Sequence, residues 1–255
     1  GQTVGASLVI DFTRHLDQIL EINAAAGWAR VQPGVVLDHL NAELREYGLM
    51  VGPDPASSNR ATLGGMVANN STGTHSILYG HMVDHLRSAR VVLADGSTAR
   101  FGSVDPETWS ARAARDTFEG RIYREIGRLV DENERTIREN TPPHWRRSGG
   151  YRLERLLDTR DRNLAHLLCS SEGTLAVATE LTIDLVPRPE QTTLGVVHYK
   201  SRRAALEAVS AVLETDPSAV ELFDRLGLEQ CRQVPEYARR LTFTTGSPEA
   251  LLITE

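Results

Sequence analysis

The sequence predicts an α+β chain in two parts, and three observations predict it. Strand-like alternation and helix-like spacing of apolar residues are interleaved along the chain. The break Pro187-Arg188-Pro189 separates two stretches of different pattern. A long segment rich in Gly, Ser, Thr and Asn, residues 52–80, follows no period at all. A stretch of that length without periodicity is functional or disordered, and its internal Leu63, Val67, Ile77 and Leu78 favour order. The 255 residues suffice for a sizeable core, as one large domain or two smaller ones. Apolar residues make up 40% and charged residues 24%, which excludes a disordered chain. The net charge of −6 argues against nucleic acid as the main partner.

Along the chain, Ser7-Leu8-Val9-Ile10-Asp11 and Trp28-Ala29-Arg30-Val31 read as short strands. After Pro33 and Gly34, Leu37, Leu40, Leu44 and Tyr47 recur at helical spacing, and Gly48 supplies a stop. Arg90-Val91-Val92-Leu93-Ala94, then Asp95-Gly96 and residues 98–101, form a hairpin signal, because Asp-Gly tolerates the positive φ of a tight turn. Residues 119–140 read as one helix with Ile122, Ile126, Leu129, Val130 and Ile137 on a stripe, ended by Thr141-Pro142-Pro143. Leu175, Val177, Leu181, Ile183 and Leu185 alternate with Ala, Glu, Thr and Asp, as a strand buried on one face does. Beyond the proline break come strand 194–199, helix 203–213, strand 219–223, a weak helix and a strand, the start of a second α+β layer. The chain opens at Gly1 without a methionine and stops at Leu251-Leu252-Ile253-Thr254-Glu255 in mid-strand, so it is expected to be an internal piece of a longer protein. Cys169 and Cys231 are too few and too far apart for a disulfide framework or a metal knuckle. No run approaches the roughly 18 apolar residues of a membrane span, and the expected location is cytoplasmic, peripheral to the membrane at most.

The chemistry concentrates in Pro53-Asp54-Pro55-Ala56-Ser57, in Thr62-Leu63-Gly64-Gly65-Met66-Val67-Ala68-Asn69-Asn70-Ser71-Thr72-Gly73, and in Tyr79-Gly80. Paired glycines let a backbone approach a ligand to contact distance and present N–H groups to it. Ala68, Ser71 and Thr72 leave room for a flat or extended cofactor, and Asn69 and Asn70 can both donate and accept. The segment is neither a lysine-bearing phosphate loop nor the Gly-x-Gly-x-x-Gly fingerprint, and a glycine-rich turn in a sheet would explain it equally well. A second cluster of small residues, Ser170-Ser171-Glu172-Gly173-Thr174-Leu175-Ala176-Val177, tips the balance towards a ligand site. His75, His81 and His85 have spacings a metal could use, but hydrogen-bonded histidines are the default, and no metal is expected. Arg146, Arg147 and Arg152 surround Tyr151; an arginine fork suits a carboxylate, although a solvated charged turn is the commoner use.

Taken in order, these segments resemble the FAD-linked oxidases of the vanillyl-alcohol oxidase and p-cresol methylhydroxylase type. The similarity is greatest to the branch of D-2-hydroxyacid dehydrogenases that act on D-lactate, glycolate or D-2-hydroxyglutarate. Gln2-Thr3-Val4, Val9-Ile10-Asp11 with Arg14, Val31-Gln32-Pro33-Gly34-Val35, Val92-Leu93-Ala94-Asp95-Gly96 and Ser148-Gly149-Gly150-Tyr151-Arg152-Leu153 extend the match through most of residues 1–190. The resemblance implies an α+β, two-lobed p-cresol methylhydroxylase-type FAD-binding domain over 1–187, followed over 194–255 by the start of an α+β substrate-cap domain. It implies that FAD is held by Pro53, Ser57, Thr62, Leu63, Gly64, Gly65, Ala68, Asn70, Gly73, Tyr79, Gly80, Glu172, Gly173 and Val177, with Arg146 and Tyr151 towards the substrate. The implied reaction oxidises a small 2-hydroxyacid to the 2-oxoacid by hydride transfer to flavin N5. Electrons then pass to an iron–sulfur domain, a quinone or a flavoprotein. A sugar, alcohol or phenol as substrate, or a flavin-binding electron-transfer subunit without catalysis, are the alternatives.

The chain also departs from the family pattern. The family's first glycine-rich flavin loop would lie before Gly1-Gln2, Met66 stands where many members have Asn, and Ser170 stands where many have Gly. The His-x-Gly-Asp-Gly-Asn segment that supplies metal or acid–base groups is not in the sequence, so no catalytic residue is assigned.

Overall fold

The computed structural model describes Ala6 and residues 8–147, 149–157 and 160–255. Gln2-Thr3-Val4, Ser7 and Ser148 lie outside the described residues. The chain divides into two compact units: a larger one running to Thr72 and over His81–Arg188, and a smaller one of Gly73–Gly80 and Pro189–Glu255. Both are α+β, with antiparallel sheets.

The larger unit begins with β1 (Ile19–Asn23) and β2 (Trp28–Val31), a hairpin whose turn uses Gly27 at φ 66° and the Asn23 side chain accepting from Ala26 N at 3.0 Å. Next come α1 (Leu37–Leu44), whose Leu37, Leu40 and Leu44 are fully buried, β3 (Leu49–Met50) and α2 (Leu63–Asn69). The smaller unit contributes α3 (Ser76–Tyr79) at this point. The larger unit resumes with α4 (Met82–His85), β4 (Leu86–Val92), β5 (Thr98–Val104), α5 (Pro106–Ala113), α6 (Phe118–Glu132) and α7 (Glu134–Asn140). It closes with β6 (Arg162–Asn163), β7 (Val177–Asp184) and β8 (Val186–Pro187).

The main sheet has the order β1-β2-β7-β4-β5-β6, and β3 pairs separately with β8. Strand β7 therefore sits between β2 and β4, strands far earlier in the chain. Its Leu181 and Ile183 are fully buried and Thr182 between them is buried too, so this stretch is covered on both faces and not on one as the alternation predicts. The core joins these residues to Ala29, Val31, Ala89 and Val91 of the neighbouring strands and to the apolar faces of α1, α2 and α6.

The structure corrects four details. Residues 8–11 form no strand: Leu8 is 86% and Val9 69% exposed, and no strand among the described residues pairs with them. Strand β1, which the sequence did not reveal, hydrogen-bonds to β2 in the outermost position of the sheet. The single helix 119–140 is two helices broken at Asn133 (φ −115°, ψ 15°), and the buried stripe of α6 is Gly120, Tyr123, Gly127 and Val130, while Leu129 faces solvent. Helix α5 escaped notice because Trp109 is its one buried side chain, although Asp105 capping at 2.7 Å and Pro106 mark its start.

In the smaller unit, β9 (Gly195–Tyr199), α8 (Arg202–Leu213), β10 (Val220–Asp224), α9 (Arg225–Gln233), α10 (Pro235–Ala238) and β11 (Ala250–Thr254) follow in order. The sheet order is β10-β11-β9, and Ala205 and Val209 of α8 pack on Ala250, Leu252 and Tyr199. Within this unit His75 Nε2 lies 3.2 Å from Glu255 Oε1, which ties the Gly73–Gly80 segment to the end of β11. No helix among the described residues is long and apolar enough to cross a membrane.

Candidate functional site

The first loop is built on a turn. Ser57 O accepts from Arg60 N at 2.9 Å and from Ala61 N at 2.8 Å, and Pro53 beside it is buried. Thr62 then caps α2, its Oγ1 accepting from Gly65 N at 3.3 Å. The other first-turn donors are also spent on protein: Leu63 N on Val35 O at 2.8 Å, and Gly64 N on Pro33 O at 2.8 Å. The N–H groups of Leu63, Gly64 and Gly65 are thus not a free cradle, and a ligand would meet this turn as bare backbone surface. Gly64 is required by packing, since a Cβ there would lie 2.5 Å from Pro33 Cβ. Gly65 has room, with Thr62 Oγ1 at 3.1 Å as the one close atom.

Asn70 ends α2 in the left-handed region, at φ 51° and ψ 51°, and its side chain is buried. Its Oδ1 accepts from Val83 N at 2.9 Å and its Nδ2 lies 3.4 Å from His81 Nδ1. The amide that the sequence offers to a phosphate or ribose therefore points into the protein, and the residue as a whole is buried. In the smaller unit, Gly73 N donates to Ser76 Oγ at 2.8 Å, and Gly80 takes φ 75° after Tyr79.

The second loop is left-handed at three of four consecutive positions: Ser170 (φ 66°), Glu172 (φ 50°) and Gly173 (φ 77°). Ser171 holds the turn, its O accepting from Thr174 N at 3.0 Å and from Thr174 Oγ1 at 2.6 Å. Ser170 Oγ is buried without a partner among the described residues. Glu172 N donates to Ala68 O at 3.0 Å, which joins the two loops, and Val177 opens β7 directly after them.

Two further residues reach these loops. Arg146 Nη2 donates to Thr72 Oγ1 at 3.4 Å, and Tyr151 Oη lies 2.9 Å from Thr174 Oγ1. The other arginines of the expected fork turn away: Arg147 Nη2 and Arg152 Nε meet the same Glu154 Oε1, at 2.7 and 3.0 Å. Beneath the loops lies a polar cluster invisible in the sequence. Asp84 Oδ2 accepts from His81 N at 2.8 Å and Asp84 pairs with Arg155. Burial, with Arg152 nearby, pushes His81 below its ordinary pKa, outweighing the Asp84 carboxylate, and burial likewise lowers His166 and raises the Cys169 thiol. Burial opposes charge on Asp84, but the His81 N–H and the Arg155 guanidinium overcome it and keep the carboxyl below its usual range. Among the described residues no group of His, Cys, Asp and Glu could hold a metal.

Residues 1–102 match the family described as an FAD binding domain. The D-2-hydroxyglutarate dehydrogenase of Pantoea ananatis is 34% identical over 91% of this chain and 23% of its own length. That of Pseudomonas putida is 35% identical over 88% of this chain and 22% of its own length. The chain thus spans less than a quarter of these relatives. The solved structure of alkyldihydroxyacetonephosphate synthase shares the fold, with a TM-score of 0.61 at 19% identity over 96% of this chain and 37% of that one. The likeness to the FAD binding domain family is carried by residues 1–102.

Proposed function

We propose that the two loops joined by Ala68 and Glu172 hold FAD, in a protein that oxidises a small D-2-hydroxyacid to the 2-oxoacid. The observation that carries this reading is the Glu172 N to Ala68 O bond, which joins two small-residue segments distant in sequence, the first of them inside the matched family region. The residues fit the cofactor. Gly65 and Gly173 would let an extended ligand reach the backbone, since a Cβ at Gly173 meets nothing within 4 Å. Pro53, Ser57, Thr62, Leu63, Gly64, Gly65, Ala68, Asn70, Gly73, Tyr79, Gly80, Glu172, Gly173 and Val177 are the contacts we assign to FAD. Gly64 and Gly65, half-buried, serve through backbone surface, and Asn70, buried, serves by holding the end of α2. On this reading residues 1–187 are the FAD-binding domain and 194–255 the start of a substrate cap.

FAD, when bound, supplies the two-electron acceptor. The chain's own contribution is to bind and orient. Arg146, held through Thr72, presents a guanidinium to the substrate carboxylate. Tyr151, anchored on Thr174, presents an apolar ring at the rim, and the Ser170–Gly173 backbone fixes the second loop. D-2-hydroxyglutarate is the substrate favoured by the two named dehydrogenases, and D-lactate and glycolate are its shorter analogues. The reduced cofactor would pass its electrons to an iron–sulfur domain, a quinone or a flavoprotein, in the cytoplasm or at the membrane surface.

The test is to purify the full-length protein, reconstitute it with FAD, and titrate it anaerobically with D-2-hydroxyglutarate, D-lactate and glycolate. Bleaching of the flavin band by a D-2-hydroxyacid is expected. Absence of any flavin band after reconstitution refutes the cofactor reading, and a flavin bleached only by sugars or phenols refutes the substrate class.

A further inference from the structure

On either side of the Gly73–Gly80 segment, residues 70–71 and 81–83 of the larger unit meet in a neck, which among the described residues shows three contacts. Ser71 O accepts from Met82 N at 3.2 Å, Asn70 Oδ1 accepts from Val83 N at 2.9 Å, and Asn70 Nδ2 lies 3.4 Å from His81 Nδ1. The chemistry of the partners assigns donor and acceptor at the Asn70–His81 contact. Val83 N–H can only donate, so Asn70 must turn its oxygen towards it. The amide nitrogen is then left facing His81, and an NH₂ group can only donate. With that geometry Nδ1 of His81 carries the lone pair and the imidazole proton sits on Nε2, which is buried with no hydrogen-bond partner among the described residues.

That assignment makes the contact conditional on charge. Imidazolium carries N–H on both nitrogens, so a protonated His81 would set two donors against each other across the neck. Asn70 is the vulnerable partner. It is a non-glycine residue at φ 51°, a conformation that local hydrogen bonds must sustain, and its side chain is pinned at both ends. The surroundings hold the imidazole neutral. It is buried, Trp145 lies edge-on at 5.4 Å, and the Arg152 guanidinium opposes a second positive charge. Asp84 and the carbonyls of Asn70 and Trp145 pull the other way, but Asp84 is itself engaged by Arg155 and by His81 N.

We propose that His81, as its neutral Nε2–H form, is the positioning residue that latches the neck of the Gly73–Gly80 segment, and that its protonation opens the latch and weakens FAD binding. The second half rests on the FAD reading above; the first half does not.

The sign follows from linkage. With the folded-state pKa below the ordinary 6.5, the latch is intact at and above neutral pH and is lost as pH falls through the folded value. Asn is the informative substitution, because its Oδ1 occupies the place of Nδ1, cannot titrate, and keeps a good helix cap for α4. Leu removes the acceptor altogether. In the full-length protein, FAD affinity and hydrogen exchange over residues 69–83 would be measured from about pH 7.5 to about pH 5. For the wild type, the FAD Kd should rise about tenfold per pH unit at most once the folded pKa is passed, with faster exchange at the neck after correction for intrinsic rates. His81→Asn should abolish most of this pH dependence, and His81→Leu should show weak binding and fast exchange at every pH.

Burial also lowers the pKa of His166, so the difference between wild type and His81→Asn is the quantity that reports on His81. The proposal is overturned if His81→Asn keeps the wild-type pH dependence, or if His81→Leu exchanges and binds like wild type. Should the protein bind no FAD at all, the cofactor reading fails, while exchange in the FAD-free protein still decides whether the latch exists.

Discussion

Replacing Gly64 by alanine separates packing from ligand binding in the glycine pair. The added Cβ would lie 2.5 Å from Pro33 Cβ and 3.0 Å from Pro33 O, where no real Cβ can sit. The clash cannot be relieved by a side-chain rotation, because proline has none to offer. It must push the first turn of α2 away from the Pro33 loop, against the Gly64 N to Pro33 O and Leu63 N to Val35 O bonds. Overpacking of this kind costs about 1–3 kcal/mol, offset by about 1 kcal/mol of helix propensity gained on leaving glycine. The net expectation is a loss of about 0–2 kcal/mol, centred on about 1, and with a urea m-value of about 2–3 kcal/mol per M the midpoint falls by about 0.4 M. The matched control is Gly65→Ala, whose Cβ meets only Thr62 Oγ1 at 3.1 Å and which, with the same gain in helix propensity, should leave the midpoint unchanged or raise it by up to about 0.4 M. FAD affinity should behave the other way, with Gly65→Ala weakening it by about tenfold through loss of close backbone approach. Tryptophan-monitored urea unfolding and flavin fluorescence titration measure the two effects. Equal damage to stability from both substitutions, or a stabilised Gly64→Ala, would refute the reasoning.

Ser170→Gly should stabilise the chain by about 1 kcal/mol, since it removes a left-handed serine and an unpartnered buried hydroxyl; a lower urea midpoint contradicts this. Glu154→Gln should destabilise by about 3 kcal/mol, because it leaves the Arg152 guanidinium, 3% exposed, without its counter-charge; a change below about 1 kcal/mol would show that the pair is dispensable. Arg146→Met should leave stability unchanged and raise the KM for the hydroxyacid about tenfold through loss of a carboxylate partner, and steady-state kinetics with an unchanged KM would remove Arg146 from the site.

What was legible in the sequence was whatever a local pattern encodes. The alternation of residues 175–185 marks β7, the Asp95-Gly96 turn marks the β4–β5 hairpin, and Leu37, Leu40 and Leu44 mark α1. The small residues of both loops were visible for the same reason. What was hidden was direction. Asn70 reads as a ligand-facing amide until Val83 and His81, more than ten residues on, are seen to claim both ends of it. The three arginines around Tyr151 read alike, and only the position of Glu154 divides Arg147 and Arg152, which are structural, from Arg146, which reaches Thr72. The break at Asn133 was missed because charged residues flank it on both sides and leave the apolar spacing unbroken.

The position of β7 has a consequence for how this protein is made. Strands β2 and β4 emerge from the ribosome early, but the strand that must lie between them ends only at Asp184. Until then each presents a bare hydrogen-bonding edge with nothing native to pair with, and β2 and β4 cannot be joined directly without the wrong register. The matched family segment, residues 1–102, contains both of those edges and not their common partner. Expressed by itself it should aggregate, and a nascent chain should stay dependent on chaperones until translation has passed β7.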